Sequence, residues 1–264
     1  MPFVTAEPPL PEPLRSFDST AAALAAELAG AEKLAAEVRD LRLSGRLLAN
    51  TLESIRVELT YHSNAIEGNT LSLRETQLII EGKSPGAERD LREIEEARNH
   101  DRALRQIEKW ARDRPTSPLD LSALLDLHRT VLTDIDSAAG RFRSDRVRIV
   151  GTGFVPPGSH KFDALLPQLV DRAHRPQVHP VLQAAELHYN LAAVHPFADG
   201  NGRTARLLMN HHLLRRDFPY AVIELGERGL YLAALDHANL GRVEPFARLV
   251  LDAVVRTSLK LLGQ

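Results

Sequence analysis

The chain has 264 residues, of which 44% are hydrophobic and 26% are charged, so it contains enough apolar material to bury one sizeable core. Its formal net charge of −2 gives no overall positive field that would hold it on nucleic acid or on an anionic membrane. The absence of cysteine excludes disulfides, thiolate catalysis and thiolate-bound zinc. No secretory leader pattern and no run of about 18 apolar residues occurs. We therefore expect a cytoplasmic protein that binds neither nucleic acid nor membrane.

The first third of the chain is predicted to be an extended arm followed by helices. Residues 1–18 begin with the proline-rich run MPFVTAEPPLPEPL, which predicts an extended segment. Residues 19–89 open on Ser19, a suitable N-cap, and continue as an alanine- and leucine-rich run. Breaks in this run are expected at Gly30 and Gly45. We therefore predict an N-terminal helical region that contains at least two helices.

Residues 90–264 predict a helical core with one exception. Apolar residues recur at helical spacing in the runs DLREIEEARNHDRALRQIEKWARD, LDLSALLDLHRTVL, VLQAAELHYNLAAVH, RTARLLMNHHLLRR, LYLAALDHANL and PFARLVLDAVVRTSLKLL. The run RFRSDRVRIVGTGFVPPG instead alternates charged and apolar residues before glycine and proline, which predicts a short β-hairpin. We interpret its four arginines as a solvent-exposed face: Arg141, Arg143, Arg146 and Arg148. The whole pattern predicts a mainly all-α fold of about ten helices around one hairpin.

The run HPFADGNGRTAR, residues 195–206, lies between two predicted helices and has the features of an anion-binding loop. The Gly-Asn-Gly sequence at 200–202 permits positive φ angles, and its N–H groups can form a concave nest directly before a helix N-terminus. Arg203 and Arg206 are three residues apart, so they share one face of the first helical turn. Two cations at this end oppose the helix macrodipole unless an anion such as a polyphosphate is bound.

Two further side chains of this run can take part in chemistry on a bound phosphate. Asp199 supplies a hard oxygen ligand beside the nest, where an Mg²⁺ ion that bridges nucleotide phosphates would lie. His195, with an ordinary pKa of about 6.5, can accept a proton from a hydroxyl at neutral pH. Phe197 is expected to point inward and anchor the loop. Each residue alone is more often a turn or packing residue, but their combination in one short loop favours a nucleotide-dependent reaction.

The same run carries a family resemblance. HPFADGNGRTAR matches the Fic family signature HxFx(D/E)GNGRxxR at every defined position. The run RVRIVGTGFVPP resembles the family's flap, and YLAALDHANLGRVEPFARLV resembles its closing helices. The resemblance implies a mainly helical Fic-fold bundle with one short hairpin flap, in which residues 90–264 form the catalytic core and residues 19–89 an N-terminal extension. It also implies AMPylation, the transfer of AMP from ATP to a protein Ser, Thr or Tyr hydroxyl with release of pyrophosphate.

The resemblance implies a role for each position of the signature. His195 would be the general base, Asp199 would hold Mg²⁺, and Arg206 would pair with the γ-phosphate. The phosphate chain would be cradled by a second group of residues: Gly200, Asn201, Gly202 and Arg203. The nucleotide would also contact residues of the flap and the closing helices: Val150, Gly151, Thr152, Tyr231 and Asn239. On the sequence alone, the tyrosine and the asparagine are equally well explained as packing and capping residues.

The run SNAIEGN, residues 63–69, places Glu67 at the end of a predicted helix, directly before Gly68. A carboxylate at this end opposes the helix macrodipole unless a cation meets it. The run satisfies the family's inhibitory motif (S/T)xxxE(G/N), with Ser63, Glu67 and Gly68 at its defined positions. The resemblance implies that Glu67 reaches Arg206 and keeps the γ-phosphate from its productive place. The alternative interpretation is that Glu67 is an exposed residue in a capped helix turn.

The predicted function is therefore autoinhibited AMP transfer, with ATP as substrate, Mg²⁺ as cofactor and a protein target that can be the chain itself. Relatives often form homodimers, and in some relatives an equivalent glutamate also supports the removal of AMP. Two alternatives stay open: a related enzyme that transfers another phosphate-containing group, and a non-catalytic nucleotide-binding regulator. The intact GNGR run argues against the first of these alternatives.

Overall fold

The computed structural model describes residues 12–86, 88–113, 120–149, 151–175 and 177–264. These residues form ten α-helices and no β-strand, so the predicted mainly α-helical fold is confirmed. None of the helices in the described ranges is long and apolar enough to cross a membrane. The helices are α1 (Ala25–Leu43), α2 (Ala49–Ile66), α3 (Leu73–Ile80), α4 (Leu91–Asp113), α5 (Leu121–Leu132), α6 (Phe162–Asp171), α7 (Pro180–Val194), α8 (Asn201–Arg215), α9 (Arg228–Asn239) and α10 (Glu244–Leu262).

The centre of the fold is α7, which is buried along almost its whole length and around most of its circumference. A helix that is buried on nearly every side lies inside a core and not on a surface. Helix α8 packs along α7, while α4 covers α8 and α10 covers α7. The loop that joins α7 to α8 therefore leaves one buried helix and enters another, which fixes the positions of both of its ends.

The N-terminal residues that the structure describes pack against this core. Phe17 is fully buried, and its N–H donates to Oε2 of Glu186 on α7 at 2.9 Å. Residues 1–11 of the predicted arm lie outside the described residues. The break predicted at Gly30 is wrong, because α1 continues through it to Leu43; one glycine costs a helix only about 1 kcal/mol. Gly45, which has a φ of 70°, follows the end of α1 as predicted.

The segment predicted as a β-hairpin is an irregular loop over the described residues 141–149 and 151–158, with no strand and no ladder hydrogen bond among them. The prediction of a β-hairpin is therefore wrong for these residues. Two consecutive prolines near the end of the segment lack N–H donors, and an isolated pair of strands is marginally stable. Side chains fasten the segment instead, as when Oγ1 of Thr152 donates to Oδ1 of Asp236 on α9 at 2.6 Å. We use the name flap for the whole segment predicted as a hairpin, residues 141–158.

Candidate active site

The loop between α7 and α8 is shaped by its own residues. His195 ends α7 in the left-handed region, with a φ of 49° that is uncommon for a residue other than glycine. Gly200 precedes α8 at a φ of 75°. Between them, Oδ1 of Asn201 accepts from the N–H of Phe197 at 2.9 Å and its Nδ2 donates to the Phe197 carbonyl at 2.9 Å. Both polar ends of the Asn201 side chain therefore hold the loop in place before α8.

His128, on α5, supports this loop from outside the signature. Its ring stacks on the buried ring of Phe197 at 3.7 Å between centroids. Because the N–H of Gly140 donates to Nδ1 of His128 at 2.9 Å, the proton of the neutral ring lies on Nε2, which donates to the Asp199 carbonyl at 3.0 Å. Burial lowers the pKa of His128 to about 4, so the ring is neutral at pH 7. His128 thus holds the backbone of Asp199 in place.

Arg143 joins the flap to the same loop. Its side chain is buried, and its Nε donates to the His195 carbonyl at 2.7 Å while its Nη2 donates to the Pro157 carbonyl at 2.7 Å. The interpretation of Arg143 as a solvent-exposed residue is therefore wrong, because its several N–H donors satisfy carbonyls that the irregular backbone leaves unpaired. The other three arginines of the flap are exposed, as predicted: Arg141, Arg146 and Arg148.

His195 is oriented as a base. Its Nδ1 lies 3.2 Å from the carbonyl oxygen of Ala192 in the last turn of α7. Because a carbonyl only accepts, the proton of the neutral ring lies on Nδ1, which leaves Nε2 unprotonated. Burial, assisted by the nearby charge of Arg143, lowers the pKa of His195 below the ordinary value of 6.5. The imidazole is therefore neutral at pH 7 and able to accept a proton at Nε2.

Asp199 is an ionised carboxylate paired with two arginines. Its Oδ2 lies 2.7 Å from Nη2 of Arg92 on α4, and its Oδ1 lies 3.2 Å from Nη2 of Arg203. Its Oδ1 also accepts from the N–H of Gly200 at 2.6 Å. Burial would raise the pKa of Asp199, but these two cations and the backbone donor hold that pKa below its ordinary value. Asp199 therefore offers a charged oxygen ligand at neutral pH.

Arg203 is buried between acidic partners. Only 3% of its side chain is exposed, and its Nη1 lies 3.2 Å from Oε1 of Glu96 on α4. Oε2 of the same Glu96 accepts from Nδ2 of Asn69 at 3.0 Å, so α4 connects Arg203 to the turn that follows α2. The buried Nε of Arg203 has no hydrogen-bond partner among the described residues. An unsatisfied buried donor of this kind is costly unless a ligand completes it.

Arg206 meets Glu67, as the family resemblance implied. Its Nη2 lies 2.7 Å from Oε1 of Glu67 and donates to the Ser63 carbonyl at 2.8 Å, while its Nε donates to Oγ of Ser63 at 2.9 Å. On the other side, Nη1 donates to the hydroxyl of Tyr231 at 3.2 Å. Burial alone would lower the pKa of Arg206, but Glu67 and Tyr231 raise it above its ordinary value. The chain turns away from α2 at Gly68, which has a φ of 105°.

The Glu67 carboxylate lies over the start of α8. A Cβ atom placed on Gly202 would collide with Oε1 of Glu67, so the anion occupies the place where the helix dipole favours negative charge. The Glu67 side chain is 41% exposed, whereas that of Arg206 is 5% exposed. The carboxylate can therefore return to water more easily than a buried one could. A cation also meets the end of α2, because Nε of Arg228 donates to the Ile66 carbonyl at 2.9 Å.

A cavity of about 410 Å³ opens beside His195 and Gly202, between the flap and α9. Its volume lies in the usual range for a small-molecule site, about 300–1,000 Å³. Four of the predicted nucleotide contacts line it: Gly151, Thr152, Tyr231 and Asn239. The fifth, Val150, lies outside the described residues. The predicted contacts therefore converge on one concave site that begins at the loop of residues 195–206.

Several residues of this site were missed from the sequence. Arg92 and Glu96 are four residues apart on α4, so they share one helix face, but nothing local to them indicates their partners, Asp199 in the loop and Arg203 on α8. His128 and Arg228 likewise act on segments far away in the chain. A search for charged side chains on the buried face of α4 would have found Glu96. No local pattern would have found the other three.

The fold and the loop together define a class: a mainly helical protein with an anion-binding loop between two buried helices and a carboxylate from a preceding helix over that loop. Residues 118–213 match the family model described as Fic/DOC family. A Fic-1 fragment from C. elegans has a similar structure, with a TM-score of 0.78 and 33% identity, covering 93% of this chain and 73% of that chain. The chain belongs to the Fic family.

Curated relatives in this family carry the name protein adenylyltransferase Fic. The relative from Culex quinquefasciatus is 37% identical over 205 residues, which cover 76% of this chain and 40% of that protein. The relative from Nematostella vectensis is 37% identical over 201 residues, which cover 75% of this chain and 46% of that protein. The chain thus spans less than half the length of these two relatives.

Proposed function

We propose that this chain is a protein adenylyltransferase, which transfers AMP from ATP to a Ser, Thr or Tyr hydroxyl of a target protein, including its own chain, and that Glu67 inhibits the transfer. The observation that carries the proposal is the Glu67 carboxylate, which lies over the start of α8 and pairs with Arg206. It places an anion where a terminal phosphate of ATP would bind. The names of the relatives from Culex and Nematostella support the choice of reaction.

The site can hold the two halves of a nucleotide separately. The N-terminus of α8 and the cations Arg203 and Arg206 favour a polyphosphate. The free Nε of Arg203 is a buried donor that a phosphate oxygen would satisfy. The adenosine half would occupy the cavity of about 410 Å³ between the flap and α9, with Tyr231 and Asn239 in its wall. With this division, the α-phosphate would lie near the junction, beside His195.

A divalent cation fits this site at Asp199. The described residues contain no group of three or more His, Cys, Asp or Glu side chains that could hold a metal ion by themselves. Mg²⁺ is commonly bound by one or two carboxylates together with substrate phosphates, and Asp199 is an ionised carboxylate beside the start of α8. Asp199 would hold Mg²⁺, and the ion would neutralise charge on the phosphates as pyrophosphate leaves.

The chemical step assigned to the protein is proton removal and alignment. Nε2 of His195 accepts the proton of the target hydroxyl, and the hydroxyl oxygen bonds to the α-phosphorus of ATP. The bond from the α-phosphorus to the oxygen that bridges to the β-phosphate breaks, and pyrophosphate leaves with the electron pair. Arg203 and Arg206 hold the phosphate chain so that attack and departure are in line. Glu67 prevents this alignment because it occupies Arg206.

The proposal is tested by following each phosphate of ATP separately. The Glu67→Gly variant is incubated with Mg²⁺ and with ATP labelled in either the α- or the γ-phosphate, and the protein is then separated from nucleotide. We expect the protein to retain the α label and to gain the mass of one adenylate group, with the γ label in pyrophosphate. Retention of the γ label would instead indicate phosphate transfer. Binding of ATP without retention of either label would indicate a nucleotide-binding regulator.

The acid limb of the pH profile reports on His195. In the Glu67→Gly variant, we expect kcat/KM to fall to half its plateau at a pH below 6.5, the ordinary histidine value. Burial and Arg143 lower the pKa of His195, and removing Glu67 also removes a carboxylate that raises it. The base therefore stays unprotonated to lower pH than an exposed histidine would. The measurement is the initial rate of AMP transfer against pH, and a midpoint at or above 6.5 would contradict it.

Arg92 competes with any cation for Asp199. Both partners are partly exposed, with 53% of the Arg92 side chain and 39% of the Asp199 side chain accessible, and such pairs are worth about 0.2–1 kcal/mol. We therefore expect Arg92→Ala to lower the Mg²⁺ concentration that half-saturates ATP binding by about two- to fivefold. Titration calorimetry at graded Mg²⁺ measures this. Arg98→Ala, which removes another partly exposed arginine of α4 paired with Glu95, is the control and should change nothing.

A further inference from the structure

Arg206 is also supported by a residue outside α2 and the turn that follows it. Three of its four side-chain hydrogen bonds go to α2 or to the residue directly after it, namely to the side chain and carbonyl of Ser63 and to Glu67. The fourth goes to α9, where the hydroxyl of Tyr231 accepts from Nη1 at 3.2 Å. The guanidinium carbon also lies 5.9 Å from the centre of the Tyr231 ring, within the range of a cation–π contact. Arg206 is therefore held from two opposite elements.

Tyr231 is itself held by His188 on α7. The Tyr231 hydroxyl lies 3.1 Å from Nε2 of His188, and the two rings meet edge to face at 5.6 Å between centroids. His188 is fully buried, and burial together with the charge of Arg206 lowers the pKa of His188 well below its ordinary value, so its ring is neutral. Because Arg206 can only donate, the Tyr231 oxygen accepts from it, and the same hydroxyl shares a hydrogen bond with Nε2 of His188. The three groups form one row of hydrogen bonds.

The hydrogen bonds of Tyr231 and His188 do not involve Glu67, so they should persist when Glu67 leaves Arg206. If Glu67 leaves Arg206, one bond to Nη2 is lost, and any displacement of α2 weakens the contacts to Ser63 as well. Tyr231 and His188 lie on α9 and α7, so their contacts do not depend on α2. A buried guanidinium without oriented partners would be free to turn away from the start of α8, and it would then contribute little to binding a phosphate.

We infer that Tyr231 and His188 are positioning residues, which keep Arg206 directed at the terminal phosphate of ATP after Glu67 has withdrawn. The inference rests on the proposed function, since it takes Arg206 as the partner of that phosphate. In this role Tyr231 is not a nucleoside contact, because its hydroxyl orients Arg206 and thereby affects binding of the γ-phosphate. Loss of this support should therefore weaken the binding of ATP and not that of ADP or AMP, because only ATP has a γ-phosphate.

The test compares the affinities of three nucleotides. Titration calorimetry in the presence of Mg²⁺ measures the binding of ATP, ADP and AMP to Glu67→Gly and to Glu67→Gly with Tyr231→Phe. The second change removes one hydroxyl and keeps the ring in the core. A hydrogen bond to a charged group accounts for about a tenfold difference in affinity. We therefore expect the preference for ATP over ADP to fall about tenfold while AMP affinity is unchanged. His188→Asn should reduce the same preference, since it loosens the Tyr231 hydroxyl.

The matched control is Tyr189→Phe in the same background. Tyr189 also lines the cavity, but its hydroxyl donates to Oδ1 of Asn239 at 3.1 Å and does not touch Arg206, so the preference for ATP over ADP should persist. An equal loss for all three nucleotides with Tyr231→Phe would identify Tyr231 as a nucleoside contact and overturn the inference. An unchanged preference would also overturn it. If Glu67→Gly alone showed no preference for ATP over ADP, the assignment of Arg206 to the γ-phosphate would fail as well, before Tyr231 is altered.

Discussion

Glu67→Gly should raise the rate of ATP-dependent AMP transfer by at least about tenfold. The substitution removes the carboxylate that lies 2.7 Å from Nη2 of Arg206 and over Gly202. A hydrogen bond to a charged group contributes about 1.5–3 kcal/mol, and because the carboxylate is 41% exposed the lower end of that range applies. The rate is measured from the mass increase of the intact protein, or of a target protein, at saturating ATP and Mg²⁺.

The chain contains a close local control for this substitution. Glu81 follows α3 as Glu67 follows α2, in each case between an isoleucine and a glycine with positive φ. Its side chain contacts Gln77 and Lys83 and does not touch Arg206. Glu81→Gly therefore makes the same chemical change at the same kind of helix end without touching the site. We expect it to leave the low rate of the unaltered protein as it is; activation by both substitutions would mean that the effect is general loosening and not release of Arg206.

Local features of the site could be predicted from the sequence because neighbouring residues form them. The Gly-Asn-Gly run opens α8 with Gly200 in the left-handed region, and Phe197 is buried as an anchor. The contact between Glu67 and Arg206 could be predicted although 139 residues separate the partners, because each was electrostatically misplaced on its own helix. A carboxylate at the end of one helix and cations at the start of another are each unfavourable alone but attract each other, and the family resemblance indicated that they meet.

The rest of the site depends on tertiary contacts that leave no local trace. Arg143 stands among exposed arginines in an alternating pattern, and only the fold places its guanidinium against the His195 carbonyl. His128 and Glu96 reach the loop and Arg203 from α5 and α4, and helical periodicity gives no indication of the partner of a buried polar residue. The alternating charged and apolar residues of the flap suggested strands. A β-ladder needs backbone N–H donors, which the two prolines lack. The flap is held by side chains instead, such as Thr152, which donates to Asp236 on α9.

Two ion pairs beside the loop would be replaced when ATP and its metal ion bind. In the closed arrangement Glu67 holds Arg206, while Arg92 and Arg203 hold Asp199. A polyphosphate with its cation would replace the first carboxylate by phosphate oxygens and the Arg92 guanidinium by the metal ion. The group that leaves each pair is partly exposed, with 41% of the Glu67 side chain and 53% of the Arg92 side chain accessible, so it can return to water while the incoming group would take its place beside the remaining charge. The two exchanges act on different atoms, and for this reason Glu67→Gly and Arg92→Ala should have separate effects, the first on rate and the second on the Mg²⁺ requirement.

His195→Ala, placed in the Glu67→Gly background, should lower kcat for AMP transfer by about 10²- to 10⁴-fold, the usual contribution of a general base. Its Nδ1 donates to the Ala192 carbonyl, which leaves Nε2 unprotonated, and His195 lines the cavity, so the substitution removes the proton acceptor and leaves Arg203 and Arg206 in place. Because the base acts in the transition state, KM for ATP should change little. The label retained from α-labelled ATP, together with ATP affinity from calorimetry, measures the two effects separately. His174→Ala, at an exposed histidine, is the control and should retain the full rate. A loss of ATP binding equal to the loss of rate would assign His195 to the nucleotide site instead of to proton transfer.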